Sequence, residues 1–259
     1  MNEAELEELE ELVYTNNWYI NTRWNDPSQK DHATLVAAKI VALVTGQGVE
    51  PGEPTDPDDP DPVDPDPYSP PEWMYDTSYF PVVGHRFSQT EFLAYLESSD
   101  LEEMQWDPTG ITMHHTASPD LAIRPNGFEE RHMGYLRDYY KDDLGWSRGP
   151  HIFTVDNGIW VFCALTMRGI HAVSFNSSRF GIEMLGDFSY NDDPNSGRGK
   201  RSTDMGKFAA AAIMKVLGIS TGKLNFHRHD PETTKDCPGR KIEFQAFEED
   251  VLAVYESLS

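Results

Sequence analysis

Apolar residues recur at helical spacing near the start of the chain. Leu6, Leu9, Leu12 and Val13 follow a glutamate-rich opening, where negative charge suits the helix dipole. A second helix is predicted within NDPSQKDHATLVAAKIVALVTGQG, with Asp26 as N-cap, Pro27 at the first helical position and Gly46 and Gly48 as stops. Between them lies NNWYINTRW, with two tryptophans and a tyrosine. Two short helices bury little apolar surface by themselves. Residues 1–48 are therefore expected to self-associate, dock on the main domain or bind a protein partner.

The pattern then breaks. In VEPGEPTDPDDPDPVDPDPYSPP proline alternates with aspartate, so neither a helix nor a sheet ladder forms. Residues 49–75 are predicted to be a semi-rigid, extended linker. From about Asp76 periods of 3.6 and of two alternate. FSQTEFLAYLESS carries a capping box, Ser88 with Glu91, ahead of an amphipathic helix. GITMHHTAS predicts a short buried strand, and FEERHMGYLRDYYKDDLGW a helix ending at Gly145. HIFTVDNGIWVFCAL is a hairpin about Asp156-Asn157-Gly158, and RFGIEMLGDF a further strand. TDMGKFAAAAIMKVLGI is an alanine-rich helix capped near Thr203 and stopped at Gly218. KLNFHRHD ends a strand, and IEFQAFEEDVLAVYESL closes as a helix. Residues 76–259 thus predict a mixed α/β domain, a central mixed β-sheet flanked by helices.

Charge narrows the function. A formal net charge of −23 over 259 residues opposes phosphate backbones and argues against nucleic-acid binding. The excess is concentrated, since nine acids and no bases lie between Glu50 and Glu72. No stretch approaches the length of a membrane span. MNEAELEELEEL has no basic segment followed by an apolar run, so no secretory signal is expected and synthesis is expected in the cytoplasm. Two cysteines, Cys163 and Cys237, are too few for a disulfide scaffold. Cys163, within WVFCAL, reads as a small buried hydrophobe. The aromatic stripe of MGYLRDYY reads as core and helix surface.

Polar groups on apolar strand ends mark the chemistry. They are His114-His115, Glu183, His227 with His229, and Cys237. Imidazoles with a thiolate form a zinc-type donor set, and three protein donors leave one position open for water or substrate. Glu183 sits in the apolar run GIEML, where a carboxylate needs a partner or a task, and general base is the task it suits. Lys235, two residues before Cys237, suits stabilisation of an oxyanion. From spacing alone either His227 or His229 can supply the second imidazole.

ITMHHTAS, GIEMLGDF and HRHDPETTKDCPG, in that order, resemble the zinc-dependent N-acetylmuramoyl-L-alanine amidases. That family includes phage amidase-type lysozymes, bacterial anhydro-muropeptide amidases and peptidoglycan recognition proteins. The resemblance covers about residues 76–259. It implies Zn2+ held by His114, His227 and Cys237, with His229 as the alternative second ligand. It further implies Glu183 as general base, Lys235 as charge stabiliser, and His171 and Asn176, from RGIHAVSFN, as substrate-groove residues. One departure stands out. Many members carry a catalytic tyrosine in a G-Y-H-F stretch, and here GPHIF has Pro150 at that place.

The implied activity is cleavage of the amide between N-acetylmuramic acid and the stem L-alanine, with bacterial peptidoglycan as partner. The tethered N-terminal segment points to a phage endolysin that reaches the wall after release from the host cytoplasm. A wall-recycling amidase, a non-catalytic muropeptide-binding module and a virion-associated structural protein are the competing expectations.

Overall fold

The computed structural model describes residues 82–97 and 104–258, all within the unit Asp66–Ser259. The helices expected over 1–48 and the linker expected over 49–75 lie outside the described residues.

Among the described residues six strands form one sheet: β1 (Val82–Phe87), β2 (Gly110–His115), β3 (Ile152–Val155), β4 (Gly158–Cys163), β5 (Arg179–Met184) and β6 (Leu224–Phe226). Their order across the sheet is β1-β4-β3-β5-β2-β6. The β1-β4 and β4-β3 pairs are antiparallel, while β3-β5, β5-β2 and β2-β6 are parallel. The helices among the described residues are α1 (Gln89–Leu96), α2 (Glu130–Asp138), α3 (Gly197–Leu217) and α4 (Phe244–Ser257). Parallel neighbours need crossovers, and α2 and α3 lie in the connections from β2 to β3 and from β5 to β6.

The period of two divides the sheet's residues between two cores. Ile111, Met113, Ile182, Met184 and Phe226 belong to a large cluster with α1, α3 and α4. Phe153, Val155, Trp160 and Phe162 lie in a second cluster with Phe128 and Met133. His114 is the neighbour of Met113, and Glu183 lies between Ile182 and Met184, so both turn away from the large cluster. The run Ala209–Ala212 in α3 is fully buried. The helix sits so close to the sheet that a Cβ on Gly206 would lie 2.7 Å from Met184 Sδ. Small residues there permit the approach.

Most predicted elements are present. The Ser88/Glu91 capping box closes, with Glu91 N donating to Ser88 Oγ at 3.3 Å and Ser88 N to a Glu91 carboxylate oxygen at 2.8 Å. The hairpin turns between Val155 and Gly158. Helix α3 ends at Gly218 in a left-handed conformation, φ 66°.

Three features differ. Helix α3 begins at Gly197 rather than near Thr203. Thr203 is buried inside it, its hydroxyl donating to Pro194 and Lys200 carbonyls. The Asp193 turn, which accepts from Asn195 N and Ser196 Oγ, launches the helix earlier. Helix α2 stops at Asp138 and passes into a π-helical turn, Tyr139–Asp143, before Gly145. Edge strand β1 had no expected counterpart; its pairing with β4 is a tertiary contact that local pattern does not report. Among the described residues no helix is long and apolar enough to cross a membrane.

Candidate metal centre

Strand β2 lies between β5 and β6, and their carboxyl ends carry the polar groups. In the parallel β2-β5 ladder His114 is directly opposite Glu183, so both side chains leave the same face. Strand β6 ends at Phe226 and tightens into a 3-10 turn, His227–His229. Arg228 in that turn anchors the Cys237 loop. Its backbone N donates to Cys237 O at 2.8 Å, and its guanidinium donates to Gly239 O at 2.9 Å and Ile242 O at 2.7 Å. Asp230 ties the turn to the 171–176 segment by accepting from Ser174 N at 3.0 Å.

This brings one donor atom each from His114, His227 and Cys237 within 4.8 Å of one another. It is the one such His/Cys/Asp/Glu group found among the described residues. Donors at tetrahedral angles about 2.0–2.3 Å from zinc lie roughly 3.3–3.8 Å apart. His114 Nδ1 and Cys237 Sγ, at 3.6 Å, already have that spacing. Cys237 Sγ also accepts from His115 N at 3.4 Å. His229 turns elsewhere: its ring stacks on Phe226 at 5.7 Å and its Nδ1 accepts from Phe226 N.

The protonation states suit a metal. Burial, with the nearby imidazoles and Lys235 adding to it, holds the His114 pKa well below the usual histidine range. Burial and then Lys235 also lower that of His227. Both rings are therefore neutral donors near pH 7. Burial, reinforced by Glu183, pushes the Cys237 thiol well above its ordinary value. Burial pushes Glu183 up to about 8, with Lys235 opposing the shift. A buried thiol and two neutral imidazoles, without a counter-cation in the cluster itself, fit a dication that takes the thiolate.

Zinc uptake is accordingly expected to release at least one proton, because Cys237 must ionise to bind. Affinity should climb about tenfold per pH unit through neutrality. Calorimetry in buffers of different ionisation enthalpy measures this, and a flat profile would mean that the thiolate exists beforehand.

Glu183 Oε1 stands 3.7 Å from His114 Nδ1, and the carboxylate side chain is 15% exposed. Lys235 is exposed, yet its charge reaches His114, His227, Glu183 and Cys237. His171, expected from the resemblance to serve the substrate groove, is buried, and both ring nitrogens are engaged, Nδ1 with His114 Nε2 and Nε2 with Arg179 O, each at 3.0 Å. Asn176 turns its Oδ1 inward to accept from His171 N at 2.7 Å and Ala172 N at 2.8 Å. Asn176 thus holds the backbone of the residue whose ring meets His114.

Cys163 is a free, buried thiol, raised to about 12 by burial, that accepts from Gly149 N. Tyr140 belongs to the stripe MGYLRDYY, which reads on sequence as core and helix surface. Its ring packs so tightly on Gly149, next to Pro150, that a Cβ there would lie 2.9 Å from it. Burial and then the Glu183 charge push its phenol well above the ordinary range. A tyrosine from another element thus stands in the field of Glu183. Spacing could not signal it, because the π-helical turn sets the ring's position.

The family described as N-acetylmuramoyl-L-alanine amidase matches residues 104–240. Among solved structures, the chain is similar to the catalytic domain of XlyA, with 22% identity over 56% of this chain and 87% of that one, TM-score 0.42. It is similar to the endolysin N-acetylmuramoyl-L-alanine amidase LysCS from Clostridium intestinale URNW, with 21% identity over 57% and 85%, TM-score 0.44. It is also similar to wild-type Drosophila PGRP-LB, with 22% identity over 53% and 78%, TM-score 0.42. No curated protein matches the chain.

Proposed function

The chain belongs to the N-acetylmuramoyl-L-alanine amidase family, and from that premise we propose that it is a zinc-dependent hydrolase of bacterial peptidoglycan. It cuts the amide between N-acetylmuramic acid and the L-alanine of the stem peptide. The observation that carries this reading is the convergence of His114, His227 and Cys237 beside Glu183, where the ends of β2, β5 and β6 meet the Cys237 loop.

His114 Nδ1, His227 and Cys237 Sγ would hold the ion. Zinc bound there supplies Lewis acidity toward the amide carbonyl and toward an attacking water. Glu183 accepts the proton of that water and returns it to the leaving amine nitrogen, so that the C–N bond breaks to a carboxylic acid and a free amine. A carboxyl whose pKa burial has raised is suited to taking and giving a proton near neutral pH. Lys235 places a positive charge toward the same cluster and offsets the negative charge that develops on the carbonyl oxygen.

Within this reading the chain is a phage endolysin: residues 76–259 form the catalytic domain, 49–75 the acidic spacer, and 1–48 a segment that binds a protein partner or self-associates. It acts on the wall after release from the host cytoplasm. The acidic proline-rich spacer supports the tethered arrangement over that of a wall-recycling enzyme.

Purified peptidoglycan incubated with the zinc-loaded full chain is expected to release free stem peptides with L-alanine at their amino end. Zinc-independent binding of wall fragments with no peptide released would replace the hydrolase with a recognition module.

A further inference from the structure

We infer that His171 is a positioning residue that fixes the tautomer of His114 and so aims the His114 Nδ1 lone pair at the metal position. The inference rests on the reading of His114, His227 and Cys237 as the metal donors.

The hydrogen-bond chain runs in one direction only. A carbonyl oxygen can accept but not donate. His171 Nε2, 3.0 Å from Arg179 O, must therefore carry the proton. The ring is buried, and neither of its two polar partners is an anion, so the neutral form with a single N–H prevails. His171 Nδ1 is then a bare acceptor. His114 Nε2, 3.0 Å away, must donate to it. The remaining nitrogen of His114, Nδ1, is left with its lone pair, and this atom faces Cys237 Sγ at 3.6 Å. A backbone carbonyl on β5 thus sets, through two imidazoles, which nitrogen of the first ligand is free.

The seat of His171 is built for this. A Cβ on Gly181 would lie 2.5 Å from His171 Cγ and 2.6 Å from Cδ2, so the ring occupies the space that any other residue would fill. Asn176 holds the backbone on either side through its two accepted bonds. The ring meets His114 edge-on, with centroids 5.1 Å apart and planes at 89°. Gly181 is two residues from Glu183, so β5 supplies the seat of the relay and the carboxylate together. Outer partners of this kind orient a ligand and increase its basicity, and their loss weakens metal binding about 10–100-fold.

The test compares zinc affinity of full-length wild type, His171→Leu, His171→Gln and His171→Asn by competition with a chromophoric chelator. The asparagine side-chain oxygen falls near the place of Nδ1, whereas glutamine reaches the place of Nε2 and leucine offers no acceptor. Leucine and glutamine are expected to weaken binding about 10–100-fold, and asparagine to recover most of the loss. Affinity that tracks side-chain volume, or that is equal in all four proteins, overturns the relay. Nitrogen-15 NMR of the wild type gives a second readout that needs no variant to fold: both His114 and His171 are expected to carry the proton on Nε2. A proton on His114 Nδ1 in the zinc-free chain overturns the inference. A wild type that binds no zinc would remove the metal reading instead, and the same spectrum would still judge the tautomers.

Discussion

Replacing Glu183 by glutamine is expected to leave zinc bound and to reduce stem-peptide release by about 10²–10⁴-fold, the range that a positioned proton-transfer group contributes. The side chain is nearly isosteric, so packing beside Phe153 and His114 on the neighbouring strands persists. What is lost is the ability to accept a proton 3.7 Å from a metal-ligand atom. Without zinc, Glu183 keeps its proton up to about pH 8; a dication beside it favours the carboxylate and readies it as a base. The amide has no such titration. Zinc stoichiometry after gel filtration and the initial rate of peptide release together decide the matter. Full activity with zinc retained removes Glu183 from the mechanism, while loss of zinc as well as rate makes it part of the metal's binding environment rather than a base alone.

Cys237→Ala is expected to abolish both metal retention and activity. In the proposed site the thiolate is one of three protein donors, and Glu183, the carboxylate 3.7 Å from His114 Nδ1, is assigned to proton transfer instead. Since loss of an outer partner alone weakens zinc about 10–100-fold, loss of a direct donor should exceed about 100-fold. The backbone around it should survive, because Arg228 holds Cys237 O, Gly239 O and Ile242 O independently of the sulfur. Far-ultraviolet circular dichroism is therefore expected to match wild type. Cys237→Asp provides the control, since a carboxylate is also a zinc donor. Partial recovery of metal by aspartate with none by alanine identifies the position as a ligand. Equal zinc binding by wild type and alanine variant would sink the assignment.

Local chemistry made much of the domain legible in advance. The capping box at Ser88 depends on residues three apart, and the hairpin about Asp156-Asn157 on a turn flanked by alternating apolar positions. Both signals lie within a few residues, so neighbours in sequence carry them whole. The donor types also stood out, because carboxylates and imidazoles on apolar strands are costly unless something binds them. The early start of α3, by contrast, depends on the Asp193 turn, which the apolar periodicity around Thr203 does not report.

By itself, then, the sequence determined the alternation of strands and helices and the kinds of side chain available for chemistry. Tertiary structure alone decided which of them meet. Strands β2, β5 and β6 are neighbours although scores of residues separate them, and only their parallel register sets His114 opposite Glu183. The 3-10 turn after β6 sends His227 to the cluster and His229 against Phe226. The loop before β5 brings His171 against His114 Nε2. Periodicity records which face a residue takes on its own element; convergence between elements depends on strand order and loop path, which no local pattern encodes.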